Sequence, residues 1–372
     1  MNTMRQSTPL RSSRSTVGIA IPMDPLHPTV LRGRAQTLIA RLPDDSVDAV
    51  VTDPPYELNF GRIAGYGWDA TGIAFDLAFW KQVHRVMKPG GNLVAFGAPR
   101  TYHHLTTVIE KAEFEVRDNV LAWVKSSGFP KSQKLARQLA RKDQPLLSQM
   151  WEGWGTGLKP AHEPIVVARK APDGTLLDNI VRHHVGGINI DAGRIPTDDD
   201  RSRTPGRSAV GDIINVQRGG TAKNESHEGG RWPTNMLLIH RPDCVEDGQC
   251  DEDCAALEVD AQSPGSSRFF PSFYYSGRAA RSERPVANGV EHLSVKPLGV
   301  MEWLVGISAM PGALILDPFA GSGATIEAAM RLGVRAIGFE MTPEYIPLID
   351  VRVHRARARR LVDEGTSLAA AA

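Results

Sequence analysis

The sequence predicts an α/β protein: a parallel sheet with helices on both faces, interrupted by an irregular insert. Three observations carry this. Strand and helix patterns alternate from about residue 28 to 124, and the same rhythm returns from 298 to 339. Between about 170 and 290 the chain is rich in Gly, Pro, Arg, Asp and Ser and has little periodicity. In order, 28–34 and 48–52 read as short buried strands with a helix between them. Apolar positions at helical spacing over 74–87 end in Lys88-Pro89-Gly90-Gly91, a stop signal. A strand over 92–97, a helix over about 100–112 and a strand-like stretch near 114–124 follow. The second part predicts a helix at 298–309, a strand at 313–316, a helix at 322–332 and a strand at 336–339.

Composition bounds the function. The chain has 372 residues, 41% hydrophobic and 23% charged, the range of a soluble globular protein. Its 35 Gly and 26 Pro predict long loops. No run of 18 apolar residues exists, so no membrane span is expected. Arg5, Arg11 and Arg14 lie in a serine-rich start without a convincing apolar face, which reads as a frayed tail rather than a presequence. The net charge of +1 neither demands nor excludes nucleic acid. Three clustered cysteines, 244, 250 and 254, argue for a reducing, cytoplasmic setting over a disulfide framework.

Two motifs carry chemistry. Asp317-Pro318-Phe319-Ala320-Gly321-Ser322-Gly323-Ala324-Thr325 lies between a strand and a helix, where glycines let backbone amides approach a ligand. Glu340 ends the next strand, where an acid can bind ribose hydroxyls. A nucleoside-type ligand is one reading and a plain tight turn the other. Asp53-Pro54-Pro55-Tyr56 follows the strand at 48–52. Its prolines stiffen the turn and remove two donors, so its carbonyls can only accept. A carboxylate, a free carbonyl and an aromatic ring suit a flat group bearing an NH2; an ordinary Pro-rich turn is the alternative.

Together the two motifs resemble the amino-methyltransferases that act on DNA, and their order resembles the circularly permuted β group of that family. Further matches are 42–48, Met87–Gly91, Gly128–Ser132, Lys159–Pro164 and Ser294–Pro297. The resemblance implies a permuted Rossmann-like methyltransferase sheet that uses S-adenosylmethionine. It implies cofactor contacts at Asp317, Phe319, Gly321, Gly323, Thr325 and Glu340, with Lys296 and Ser294 close by. Asp53 and the Pro54 carbonyl would accept the hydrogens of the target amine, with Pro55 fixing the turn and Tyr56 stacking on a flipped-out base. An aspartate opening the tetrapeptide goes with N6 of adenine in that family, a serine with N4 of cytosine. N4-cytosine methylation, a non-catalytic DNA-binding subunit and a nicotinamide enzyme are the rivals; the last gives Asp53–Tyr56 no role. Where the family often has Gly-Asp on the first strand, this chain has Gly33-Arg34.

The expected organisation is a tail to 20, a discontinuous catalytic domain of 21–175 and 290–362, a target-recognition insert at 176–289, and a tail from 363. Double-stranded DNA is the expected partner, with a second copy of the chain and a cognate restriction nuclease as further candidates. In the insert, His240, Cys244, Cys250 and Cys254 form a His-x3-Cys-x5-Cys-x3-Cys array that suits structural zinc, with partly buried free thiols as the alternative. Lys134, Arg137 and Arg141 share a helical face that suits either phosphate or solvent. Arg352, Arg355, Arg357, Arg359 and Arg360 read as the exposed side of a last helix, and Trp151 and Trp154 as structural.

Overall fold

The computed structural model describes residues 18–58, 67–117, 120–124, 132–197, 227–240, 244, 250, 254–273 and 283–370, with the side chains of 361–370 outside the description. Most of the Gly128–Ser132 match and the tail to residue 17 lie outside the described residues.

The strands are β1 (Thr29–Arg32), β2 (Val47–Thr52), β3 (Met87–Phe96), β4 (Phe114–Val116), β5 (Leu121–Val124), β6 (His162–Lys170), β7 (Met236–Ile239), β8 (Ser272–Phe273), β9 (Val286–Ala287), β10 (Val290–Glu291), β11 (Leu314–Asp317) and β12 (Arg335–Glu340). The helices are α1 (Ala35–Ile39), α2 (Leu77–Val86), α3 (Tyr102–Lys111), α4 (Leu135–Arg141), α5 (Pro145–Met150), α6 (Leu176–His183), α7 (Ala255–Gln262), α8 (Leu298–Ser308), α9 (Ala324–Arg331) and α10 (Ile346–Ala370). One sheet runs β1-β12-β11-β2-β3-β6-β5-β7-β8, with β4 also on β6, and β9 and β10 form a separate ribbon. The α/β class and each strand expected from the sequence are present.

β1, β12, β11, β2 and β3 are mutually parallel, so their C-terminal ends share one edge. β2 and β11 are neighbours, yet β2 leads on to β3 on one side and β11 to β12 on the other. Such a switch point opens a crevice at the strand ends. β6 runs antiparallel to β3, which brings the start of β6 to that same edge.

Buried parallel strands read as nearly continuous apolar runs because both faces are covered. Ala49, Val51, Val94, Phe96, Ile315 and Ala336 face α8, α9 and α10. Val50, Leu93, Ala95, Leu314, Leu316, Ile337 and Phe339 face α1, α2 and α3. Helix α2 ends at Val86 as its stop signal predicts, and β3 begins at once. A Cβ at Gly91 would sit 2.8 Å from the Asp48 carbonyl oxygen, so only glycine permits this pairing.

At four points the structure adds to or departs from what the sequence predicts. First, 162–170 had no assignment but forms β6, against which β3, β4 and β5 all pair. Second, the segment 176–289 is not wholly irregular: β7 pairs with β5 and β8 with β7, extending the main sheet. Third, the helix α10 runs through 363–370, the segment expected as a tail, as far as Ala370. Fourth, the arginines of α10 are not all exposed. Arg352 is 0% exposed and bonds Glu327 Oε2 at 2.5 Å, while Arg331 takes Oε1 at 2.7 Å. Arg357 donates to the Leu26 carbonyl. An arginine-rich stretch does not reveal which turn faces inward; the 1% exposed Glu327 on α9 determines that here.

Removing one partner of a buried ion pair strands the other. Arg352→Met is therefore expected to lower unfolding free energy in a denaturant titration by about 3 kcal/mol. Adding Glu327→Leu to that variant should recover part of the loss. Among the described residues, no helix is long and apolar enough to cross a membrane.

Candidate active site

Both sequence motifs lie at the switch point. Asp53 follows the last residue of β2, and Asp317 is the last residue of β11. The two are tied across the crevice: Thr52 Oγ1 donates to Asp317 Oδ1 at 2.7 Å. The Phe319 N–H donates to the same oxygen at 3.0 Å, which folds the glycine loop back on its strand. Asp317 is buried at 2% exposure, and burial pushes its carboxyl up to about 6 against the Thr325, Thr52 and Phe319 donors. Asp317 and Thr325 thus face inward and shape the loop.

A group whose folded pKa is raised contributes stability that is full below its ordinary pKa, here 3.8, and is lost as pH rises through about 6. Asp317→Asn should remove that slope. Relative to the parent, the variant's unfolding free energy is expected to gain about 3 kcal/mol between pH 3 and pH 8, measured by denaturant titration at each pH.

The loop leaves β11 and enters α9 with Gly321 at φ 52° and Gly323 at φ 85°. A Cβ at Gly323 would lie 3.0 Å from Ile349 Cγ2 and 3.2 Å from the Ile349 Cα, so glycine is required for conformation and space together. Glu340, at the end of β12, takes the Gly321 N–H on Oε2 at 2.9 Å and the Thr342 N–H on Oε1 at 2.6 Å. Burial raises its carboxyl against those donors. Each oxygen keeps a second lone pair, so the group can still accept from a ligand hydroxyl. Phe319 rests on Phe79 at 5.4 Å between ring centres. Gly33 donates to the Glu340 carbonyl at 2.8 Å, which places the exposed Arg34 at this same edge.

Across the crevice, Asp53 Oδ2 bonds the ammonium of Lys296, which is 5% exposed. Lys296 Nζ is also 3.7 Å from Glu163 Oε2, and the Tyr56 hydroxyl donates to that oxygen at 2.9 Å. The ammonium lies 5.2 Å from the ring centre of Tyr56 and 4.8 Å from that of Phe96. Thr101 Oγ1 pins the Tyr56 carbonyl at 3.1 Å. Burial raises the Asp53 carboxyl, opposed by Lys296. Burial alone would lower Lys296, but the Asp53 and Glu163 charges overcome it and hold it cationic. Burial, then the same two charges, pushes the Tyr56 phenol well up, so it stays protonated. Asp53 Oδ1 is buried with no hydrogen-bond partner among the described residues. A buried lone acceptor is costly to leave unmade, so this oxygen marks where a donor belongs.

The sequence profile of N6/N4 DNA methylases matches residues 47–350 of this chain. The chain belongs to the N6/N4 DNA methylase family. Among relatives, the type II methyltransferase M.HindIII of Haemophilus influenzae is 24% identical over 259 residues, covering 69% of this chain and 60% of that protein. M.HpaI of Haemophilus parainfluenzae is 20% identical over 319 residues, covering 85% and 70%. Of solved structures, the cytosine-N4-specific PvuII DNA methyltransferase superposes with a TM-score of 0.47 at 16% identity, covering 90% of each chain. M1.HpyAVI in complex with SAM gives 0.41 at 17%, covering 87% and 98%.

In this N6/N4 methylase, Lys296, expected close to the glycine loop, bonds Asp53 and also acts on His292, which lies against that loop. Ser294 is exposed, and its N–H donates to His292 Nδ1 at 3.2 Å. His292 is the side chain that reaches the loop: a Cβ at Gly321 would lie 3.2 Å from its Nε2. Its ring packs edge-on to Tyr345 at 4.5 Å and stacks with Trp68 at 6.1 Å; burial, with help from Lys296, lowers it to about 4 and keeps it neutral. Neither Glu163 nor His292 carries a role legible in one sequence, although Glu163 lies within Lys159–Pro164 and His292 two residues before Ser294–Pro297. Lys134, Arg137 and Arg141 are exposed, and Trp151 and Trp154 are exposed at 39% and 62%, packed edge-on to each other. His240, Cys244, Cys250 and Cys254 converge far along the sheet, beyond β7.

Proposed function

We propose that this protein is an S-adenosylmethionine-dependent DNA methyltransferase acting on the exocyclic N6 amine of adenine. The unpartnered Asp53 Oδ1, held beside Lys296 and Tyr56 at the switch point, is the observation that carries this reading. When bound, S-adenosylmethionine supplies the methyl group from its sulfonium. The Gly321–Gly323 turn, with its positive φ angles, and the Glu340 carboxylate fit the backbone-and-hydroxyl recognition such a nucleoside requires. The order of motifs along the chain supports the permuted arrangement.

The amine lone pair of adenine is delocalised into its ring, so the nitrogen is a poor nucleophile. Asp53 Oδ1 and the Pro54 carbonyl accept its two hydrogens, favouring a tetrahedral nitrogen with a localised pair. Lys296 holds Asp53 ionised and fixed through Oδ2, and Glu163 holds the Tyr56 ring for stacking on the extruded base. The rate then comes from positioning and from dipoles arranged in advance. No covalent bond to the protein is needed, and the three cysteines lie outside this crevice. Incubation with methyl-labelled S-adenosylmethionine and unmethylated genomic DNA tests the reading. Label in DNA is expected; label in RNA alone, or none despite cofactor binding, would overturn it.

A further inference from the structure

The other concentration of chemistry in the molecule lies at the far edge of the sheet. His240 follows directly on β7, and its backbone N–H donates to the Phe273 carbonyl at 2.9 Å, next to the β7–β8 pairing. Cys254 occupies the N-cap of α7, which packs on β7. Cys244 and Cys250 belong to the chain between them. The His240 ring nitrogen and the three sulfurs all lie within 4.8 Å of one another. His240 Nδ1 is 3.3 Å from Cys250 Sγ and 3.5 Å from Cys254 Sγ. Cys244 and Cys254 are 0% exposed and His240 8%.

We propose that this cluster binds one zinc ion as a closed structural site. Zinc holds sulfur at about 2.3 Å and imidazole nitrogen at about 2.0 Å, so a tetrahedral set spaces nitrogen from sulfur by roughly 3.5 Å and sulfur from sulfur by roughly 3.8 Å. The two nitrogen–sulfur separations, 3.3 and 3.5 Å, lie close to that spacing, and the rest of the set, within 4.8 Å, needs to close by about 1 Å at most to reach a common centre. A purely apolar role explains the arrangement poorly. Among the described residues, the apolar cluster here is Cys244, Cys254 and Ala256 with Cys250 against it, a very small core. Its polar atoms also converge, where packing alone would turn apolar surface inward.

Binding displaces three thiol protons, leaving Zn²⁺ with three thiolates and a neutral imidazole, a net charge of −1. Four protein ligands leave no open position, so the ion braces and does not catalyse. It ties the end of β7 to the start of α7 and thereby stabilises the strands added beyond β5. The crevice between β2 and β11 lies elsewhere on the sheet, so metal content can be measured without reference to methyl transfer.

The test is elemental analysis of the full chain purified under reducing conditions without chelator. About one zinc per chain is expected, falling at least severalfold in Cys250→Ser and in Cys244→Ser. If those variants fail to fold, cobalt titration of metal-stripped wild-type protein decides. Intense visible bands of tetrahedral cobalt with a thiolate charge-transfer band support the site. Wild-type protein that is metal-free as purified and gives no such spectrum overturns it, as does a folded Cys250→Ser that keeps its zinc. A cysteine disulfide in the freshly purified protein would also overturn it.

Discussion

Replacing Asp53 with alanine lowers methyl transfer by on the order of a hundred- to a thousandfold and leaves S-adenosylmethionine affinity within about threefold of wild type. The two effects separate because the two halves of the crevice are built from different strands. Asp53 follows β2 directly, whereas the glycine loop follows β11 and Glu340 ends β12. Single-turnover transfer and equilibrium binding measure them independently. Asp53→Asn should also be impaired, since one oxygen becomes an NH2 that donates where an acceptor is required. Equal loss of binding and transfer in the alanine variant would remove Asp53 from the amine site.

Replacing Lys296 with methionine produces the second large effect, and its signature is in the pH profile. The ammonium is the cation shared by Asp53 and Glu163, and it opposes the burial that raises Asp53. Without it, two carboxyl groups share a buried site, so the pair takes up a proton more readily. A protonated Asp53 is a poorer acceptor and no longer anchored through Oδ2. Transfer at neutral pH is therefore expected to fall about a hundredfold. The acid limb of the rate profile should move to higher pH, so part of the rate returns as pH rises. A loss of the same size with an unshifted acid limb would show that Lys296 only fills space.

The parts of this site that were legible in the sequence are those made by neighbours along the chain. β2, β11 and β12 are buried on both faces, so each shows as an apolar run, and each ends in a motif whose residues are contiguous. Turn chemistry at Asp53–Tyr56 and Gly321–Gly323 is local and could be read directly. The Asp53–Lys296 bond joins residues 243 positions apart, and Tyr56–Glu163 spans 107. Nothing in a single sequence states such pairings, so the Asp53–Lys296 contact is not legible there. β8 is illegible for a different reason: two residues cannot display a period of two. Arg352 was misread because its partner, Glu327, lies on another helix.

The organisation also explains why the site lies where it does. Five parallel strands bring their carboxyl ends to one edge, and the reversal between β2 and β11 parts the connecting loops there. The antiparallel β6 adds Glu163 from its start, and the segment entering α8 adds Lys296. Asp53 is thus held by Lys296 from a distant stretch, the neighbouring Tyr56 is held by Glu163, and the glycine loop is fixed by Asp317 and Glu340.

The most direct test of this account is nucleoside analysis, by mass spectrometry, of DNA methylated by the protein with S-adenosylmethionine as donor. The account predicts N6-methyladenine, absent when Asp53→Ala replaces the wild-type protein. N4-methylcytosine would keep the amine chemistry and overturn the adenine assignment, and 5-methylcytosine, or no methylated base with cofactor bound, would contradict the account at its centre.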